Sequence, residues 1–296
     1  MTSNPIFRGV ATALITPLNA DGIDYEAFGR LLDDQIANGI PALVIAGTTG
    51  EGATLSDEEH RALVEYAVNR VAGRACVIAG TGSNDTAYAV SLTKFCCEVG
   101  ADAMLVVTPY YNKATQNGLV KMYETIADAS TKPIIVYNVP SRTGVGIQPA
   151  TYARLAEHPN IRAIKEANGN ISAIAETMAL VGDKLDVYSG EDGLTVPILS
   201  MGGKGTISVL SNVAPKQSVA ITNACLRGDY AAAAKMQCDL LPLINALFSE
   251  VNPIPAKAAT AALGFGEDVL RLPLTPMEDA ARCKLYEEMR KLGIEV

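Results

Sequence analysis

Lys165 closes the run Ile161-Arg162-Ala163-Ile164-Lys165, a segment that otherwise reads as a buried strand. Desolvation disfavours an ammonium group. A lysine placed there therefore either reaches a carboxylate such as Glu166 or gives up its charge and becomes a nucleophile toward carbonyl carbon near neutral pH. The first course is a structural ion pair with a snorkelling side chain, the second is Schiff-base chemistry. On position alone the ion pair is the commoner outcome, so the choice rests on the polar groups that accompany Lys165.

Those groups are Gly47-Thr48-Thr49-Gly50-Glu51-Gly52, Thr108-Pro109-Tyr110-Tyr111-Asn112 and Tyr137-Asn138-Val139-Pro140-Ser141-Arg142-Thr143-Gly144, with Gly190 and Ile207 further on. Taken singly, Tyr137 is an ordinary core aromatic, Thr-Thr-Gly an ordinary turn and Arg142 an ordinary loop cation. Together they describe a site. Glycines at 47, 50 and 52 can leave backbone N–H groups in a concave turn, and the Thr48 and Thr49 hydroxyls add donors suited to a small carboxylate. No Walker lysine accompanies the loop, which argues against a nucleotide phosphate. A carboxylate nest facing an amine suits a 2-oxo acid: the nest holds the carboxylate, the amine attacks the adjacent ketone, and the imine loses a methyl proton to give an enamine. Tyrosine hydroxyls near the amine can shuttle the protons.

What must position these groups can be read from the rest of the chain. At 296 residues, with 49% hydrophobic and 19% charged residues, the chain has a composition suited to a globular protein with a sizeable core. Continuous apolar runs recur at Gly9 to Ile15, Ala42 to Ala46, Ala75 to Ala79, Ala103 to Val107, Pro133 to Tyr137, Ile161 to Lys165, Leu185 to Tyr188 and Gly205 to Val209. Such runs mark strands buried on both faces. Between them lie helical patterns, among them the stripe Tyr25, Phe28, Leu31, Leu32 and Ile36 and a capping box in which Ser56 precedes Glu59 by three residues. Eight strand–helix units predict an α/β fold, a (β/α)8 TIM barrel over residues 1–228. A helical extension over 229–296 follows, with helices at Asp229 to Phe248, Pro255 to Leu263 and Pro276 to Leu292. In a barrel of this kind the strand C-terminal ends carry the chemistry, and every polar group named above falls there.

Other classes fit less well. A net charge of −8 with scattered cations opposes nucleic-acid binding. No run approaches the roughly 20 apolar residues of a membrane span, and the first residues, Met-Thr-Ser-Asn-Pro-Ile-Phe-Arg, lack a signal peptide's apolar core. A cytoplasmic protein is expected. Six cysteines, Cys76, Cys96, Cys97, Cys225, Cys238 and Cys283, show no CxxC spacing and read as reduced packing residues, with neither zinc nor disulfides.

The motifs Gly-Thr-Thr-Gly-Glu at 47–51, Val-Thr-Pro-Tyr-Tyr-Asn-Lys at 107–113, Tyr-Asn-Val-Pro-Ser-Arg-Thr-Gly at 137–144 and Ile-Lys-Glu-Ala at 164–167 occur in an order and spacing that carry a resemblance. From about Gly9 to the C-terminal helices the chain resembles the pyruvate-dependent class I aldolase superfamily typified by N-acetylneuraminate lyase, and within it the dihydrodipicolinate-forming branch. The resemblance implies a lyase that condenses pyruvate with L-aspartate 4-semialdehyde through a Schiff base on Lys165. The product is 4-hydroxy-tetrahydrodipicolinate, in the first committed step of lysine and diaminopimelate biosynthesis. It implies a proton relay of Thr49, Tyr137 and Tyr111, with Tyr111 reaching into the neighbouring subunit of a homotetramer built as a dimer of dimers, or at the least of a dimer. Thr48 and Thr49 would hold the pyruvate carboxylate, Arg142 the carboxylate of the semialdehyde, and Gly190 and Ile207 would line the pyruvate pocket. No metal or cofactor is implied beyond the covalent pyruvate imine.

The alternative within the superfamily is a sugar-acid lyase, against which Arg142 discriminates. A barrel that binds without catalysis is opposed by the joint presence of Lys165, Tyr137, Thr49, Tyr111 and Arg142. A phosphate-binding barrel finds a hint in Met201-Gly202-Gly203-Lys204-Gly205, which precedes the last strand and so lies at the opposite face. In regulated members, lysine binds at a dimer interface. Here Ala53, His60, Asn84 and Tyr110 match part of that site. Tyr88, however, stands where sensitive enzymes place a glutamate, and Asp57 where many place a histidine. Weak or absent inhibition is expected, unless Asp57 supplies a substitute carboxylate.

Overall fold

The computed structural model describes residues 4–296; Met1–Ser3, part of the N-terminal segment read above, lie outside them. Each of the eight apolar runs holds a strand. In chain order the strands are β1 (Gly9–Ala13), β2 (Leu18–Asn19), β3 (Gly22–Ile23), β4 (Ala42–Ile45), β5 (Cys76–Gly80), β6 (Ala103–Val107), β7 (Ile134–Asn138), β8 (Ile161–Glu166), β9 (Asp186–Ser189) and β10 (Gly205–Ser208). All but β2 and β3 are parallel and close into a barrel in the order β1-β10-β9-β8-β7-β6-β5-β4. The pair β2–β3 is a small antiparallel hairpin after β1 that was not read from the sequence. Two residues per strand are too few for any periodicity to register.

The continuous apolar character of the runs has a direct cause. Ala11, Ala13, Ala42, Val44, Ile78, Ala103, Ile135 and Ala163 point into the barrel, while the alternating Leu43, Ile45, Ala79, Met104, Val106, Ile134, Val136 and Ile164 meet the surrounding helices. Many of the inward residues are alanines, and the seam requires something smaller still. Gly9 pairs with Gly205 where the barrel closes, and a Cβ on Gly205 would lie 2.0 Å from the Gly9 carbonyl oxygen. The floor is plugged by Phe7 stacked on Tyr188, ring centroids 4.1 Å apart. The Tyr188 hydroxyl donates to the Phe7 carbonyl at 2.8 Å and accepts from its N–H at 3.2 Å.

The capping box forms as read. Ser56 Oγ accepts from the Glu59 N–H at 3.2 Å, Glu59 Oε2 accepts from the Ser56 N–H at 2.9 Å, and the helix Asp57–Val71 follows. The helix Tyr25–Ala37 buries Phe28, Leu31 and Leu32 of its stripe. Beyond the barrel run the helices Tyr230–Leu247, Ile254–Ala262 and Asp279–Lys291. The first of these buries Leu240, Leu243, Ile244 and Leu247 along one face. At about 1.5–3 kcal/mol for each such side chain, that stripe fastens the helix against its neighbours. All six cysteines are free. Cys96 and Cys225 are buried, whereas Cys238 and Cys283 are exposed, a correction to their reading as packing residues, because both lie on the outer faces of amphipathic helices.

Candidate active site

Register brings the candidate groups together. Tyr137 of β7 and Tyr188 of β9 are the strand partners of Lys165 on either side, so all three side chains project into the barrel. Lys165 Nζ lies 4.2 Å from the centroid of the Tyr137 ring. Burial lowers the Lys165 pKa to about 7, against the attraction of Asp192 and helped by the repulsion of Arg142. Glu166, the next residue, necessarily faces the other side of the strand. It accepts from Asn138 Nδ2 at 2.9 and 3.2 Å, from the Tyr152 hydroxyl at 2.8 Å and from the Asn168 N–H at 3.0 Å. Its own pKa is raised to about 7 by burial. The ion pair between Lys165 and Glu166 is therefore not formed, and among the described residues Lys165 has no carboxylate within salt-bridge distance.

Lys165 opens into a cavity of about 380 Å³ lined by Gly47, Thr48, Thr49, Tyr137, Arg142 and Gly190, as the sequence led one to expect. Three placements differ. The relay was expected to run through Thr49, but the hydroxyl that meets the buried Tyr137 phenol is that of Thr48, while Thr49 Oγ1 accepts a 3.0 Å hydrogen bond from Asn252 Nδ2. Ile207 belongs to the barrel interior, and Val209, two residues further on, reaches the cavity instead. Gly52 does not offer a free N–H: it donates to the Gly47 carbonyl at 3.1 Å, and a Cβ there would lie 2.3 Å from the Ala46 carbonyl oxygen. The glycine serves the tightness of the turn. Burial pushes the Tyr137 phenol upward, so at neutral pH it is a protonated hydroxyl able to donate.

Several residues of the cavity were not visible in the sequence. Asp192 is buried at the cavity wall and accepts from the N–H groups of Val209 and Leu210 at 3.0 and 2.9 Å. Asn252, besides holding Thr49, accepts from Arg142 Nη2 through its carbonyl at 3.0 Å. Leu241, Ile244 and Phe248 bring the extension's first helix to the cavity as an apolar wall. A Gly-Glu-Asp sequence after a strand was the one available signal for Asp192; Asn252 had none.

A second cavity of about 650 Å³ adjoins the first across Thr48, Tyr137 and Arg142. Ala53, His60, Tyr88 and Tyr110 line it, whereas Asn84 does not and instead donates its amide to the Tyr110 carbonyl at 3.2 Å. His60 Nε2 lies 2.8 Å from the Gly80 carbonyl, and burial lowers its pKa, which leaves a neutral ring donating there. Asp57 is held by Arg61 at 2.8 Å and by the Tyr88 hydroxyl. Tyr111 lines neither cavity. It is 92% exposed, at φ 69°, in a left-handed conformation unusual for a bulky side chain. Among the described residues no cluster of three or more His, Cys, Asp or Glu is placed to hold a metal, and no helix is long and apolar enough to cross a membrane.

Residues 6–292 match the model of the dihydrodipicolinate synthetase family. A 4-hydroxy-tetrahydrodipicolinate synthase of Exiguobacterium sp. is 50% identical over 289 residues, covering 97% of this chain and 99% of its own. The crystal structure of dihydrodipicolinate synthase from Aquifex aeolicus superposes with a TM-score of 0.96 at 45% identity, over 98% of this chain and 99% of that one. The enzyme from Cyanidioschyzon merolae, solved with lysine bound, gives 0.95 at 39% identity over 98% and 100%.

Proposed function

The chain belongs to the dihydrodipicolinate synthetase family, and from that premise we propose that its rim condenses pyruvate with L-aspartate 4-semialdehyde to give 4-hydroxy-tetrahydrodipicolinate, by way of an imine on Lys165. The observation that carries the mechanism is the state of the Lys165 amine: enclosed, free of a carboxylate partner, shifted to about 7 and in register with Tyr137. The neutral amine attacks the pyruvate ketone while the Thr48–Thr49 turn holds the carboxylate, and the carbinolamine loses water. Loss of a methyl proton gives the enamine, whose carbon adds to the semialdehyde's aldehyde. Arg142 holds the second carboxylate, for which a planar guanidinium is suited. Attack of the semialdehyde's amine on the imine carbon then closes the ring and releases Lys165, so that one water leaves per product.

Protons pass through Tyr137 and Thr48 to Tyr111 of a second copy, whose exposure in the single chain leaves it free to cross an interface. The working form is accordingly a homo-oligomer, a tetramer or at the least a dimer, in the cytoplasm. The carrier is the covalent imine, with no metal or prosthetic group required. Borohydride reduction in the presence of pyruvate tests this, read by mass spectrometry of the intact chain and its peptides. One adduct on Lys165 is expected; an adduct elsewhere, or none, rejects the mechanism. A panel of aldehydes then separates the semialdehyde from polyhydroxylated acceptors.

A further inference from the structure

The chain buries a second lysine more completely than the first. Lys257, in the helix Ile254–Ala262, is 0% exposed, and its Nζ lies 2.7 Å from Glu51 Oε1, the carboxylate being 1% exposed. Nζ also donates to the Thr16 carbonyl at 2.5 Å. Thr16 Oγ1 in turn donates to the Gly50 carbonyl at 2.7 Å. The other carboxylate oxygen of Glu51 accepts from the Arg271 N–H at 3.1 Å, and the Arg271 guanidinium donates to the Thr54 carbonyl at 2.9 Å. Glu51 itself stands in the left-handed region at φ 53°. The network thus grips the turn at Gly50, Glu51 and Thr54, directly after the two threonines that face Lys165.

A buried ion pair is a poor source of stability, since well-packed apolar side chains would serve as well or better. Its location is therefore informative. We propose that Lys257 and Glu51 are positioning residues for pyruvate: anchored from the C-terminal extension, they hold the Thr48–Thr49 turn at the height at which it receives the carboxylate. This rests on the reading of that turn given above. Lys257 is not a second nucleophile, because its amine is already engaged by a carboxylate and a carbonyl.

The test uses the full chain with Lys257→Met, Glu51→Gln and the two combined. It reads KM for each substrate, kcat, the pyruvate concentration needed to trap Lys165 with borohydride, and the thermal unfolding midpoint. Lys257→Met should raise the pyruvate KM and the half-trapping concentration by about 10- to 100-fold, the scale on which small misplacements of a binding group act. The KM for the semialdehyde should stay where it was. The single variant buries an unpaired carboxylate and will unfold earlier. The double variant buries neither charge, and the side-chain amide that Glu51→Gln introduces would still accept from Arg271, so its midpoint should return toward that of the unaltered chain while the pyruvate KM stays high. A KM that recovers together with the midpoint, or that never moves, would show the network to be structural and overturn the proposal. Should Lys257→Met fail to fold, Glu51→Gln and the double variant decide in the same way. Failure of the unaltered chain to trap pyruvate on Lys165 would instead reject the underlying mechanism, an outcome that no variant is needed to see.

Discussion

At the scale of single residues, the proposed reactivity of Lys165 and its effect on folding have one origin. Its pKa in the folded chain, about 7, lies below the ordinary 10.5, so between those values the unfolded chain holds more protons than the folded one. Stability then climbs as pH rises through that window, and the penalty for burying the amine is complete below about 7. Lys165→Met should accordingly raise the unfolding midpoint at neutral and lower pH and flatten its dependence between pH 7 and 10.5, while abolishing imine formation. A midpoint that falls, measured across pH, would show that Lys165 is held as a cation by partners. In the unaltered chain the rate of imine formation should rise through about pH 7 as the amine loses its proton. Arg142 permits a second separation. Arg142→Ala removes the proposed charge-assisted contact to the second substrate, worth about 1.5–3 kcal/mol, or roughly 10- to 150-fold. The loss should appear in condensation with the semialdehyde while borohydride trapping of pyruvate persists; equal loss in both would make Arg142 a prop for Asn252.

At the scale of elements, the wall of the second cavity is where regulation would be felt. The helix Asp57–Val71 brings Asp57 and His60, and the helix Thr86–Glu98 brings Tyr88. Asp57 was the candidate to replace a missing carboxylate for lysine, yet it is committed to Arg61 and to the Tyr88 hydroxyl. With Asp57 so engaged, binding of the ligand's ammonium should weaken by roughly 1.5–3 kcal/mol, one to two decades in concentration. Titration of lysine against initial rate should give little inhibition below the millimolar range, and half-inhibition at sub-millimolar lysine would sink the idea.

These elements also show what a sequence discloses. The eight barrel strands were legible because burial on both faces writes an unbroken apolar run, and Lys165, Tyr137 and Arg142 were legible because each interrupts or follows such a run. Thr48 and Thr49 could be found but not told apart. Which hydroxyl meets Tyr137 depends on the turn's left-handed residues, Ala46 and Glu51, and neither residue type announces that conformation. Asn252, Glu51 and Lys257 were illegible as partners because their meaning lies in contacts across about two hundred residues of chain, for which no local period exists.

At the scale of the whole molecule, the proposed relay draws Tyr111, exposed in the single chain, from a neighbouring copy. Tyr111→Phe and Lys165→Ala, each inactive or nearly so alone, should restore activity when their subunits are mixed, because a hybrid holds one site with both groups intact. Failure under conditions that demonstrably exchange subunits would confine the relay to one chain. The anchoring of the rim from the extension has a consequence in time. A ribosome makes both the turn at 48–49 and Lys165 long before Asn252 and Lys257, so the turn leaves the tunnel ahead of the residues that anchor it. On the proposal above, the turn of a nascent chain is not yet set to receive a 2-oxo acid. By the same proposal, that setting arrives only as the last helices dock, when synthesis of the chain is nearly finished.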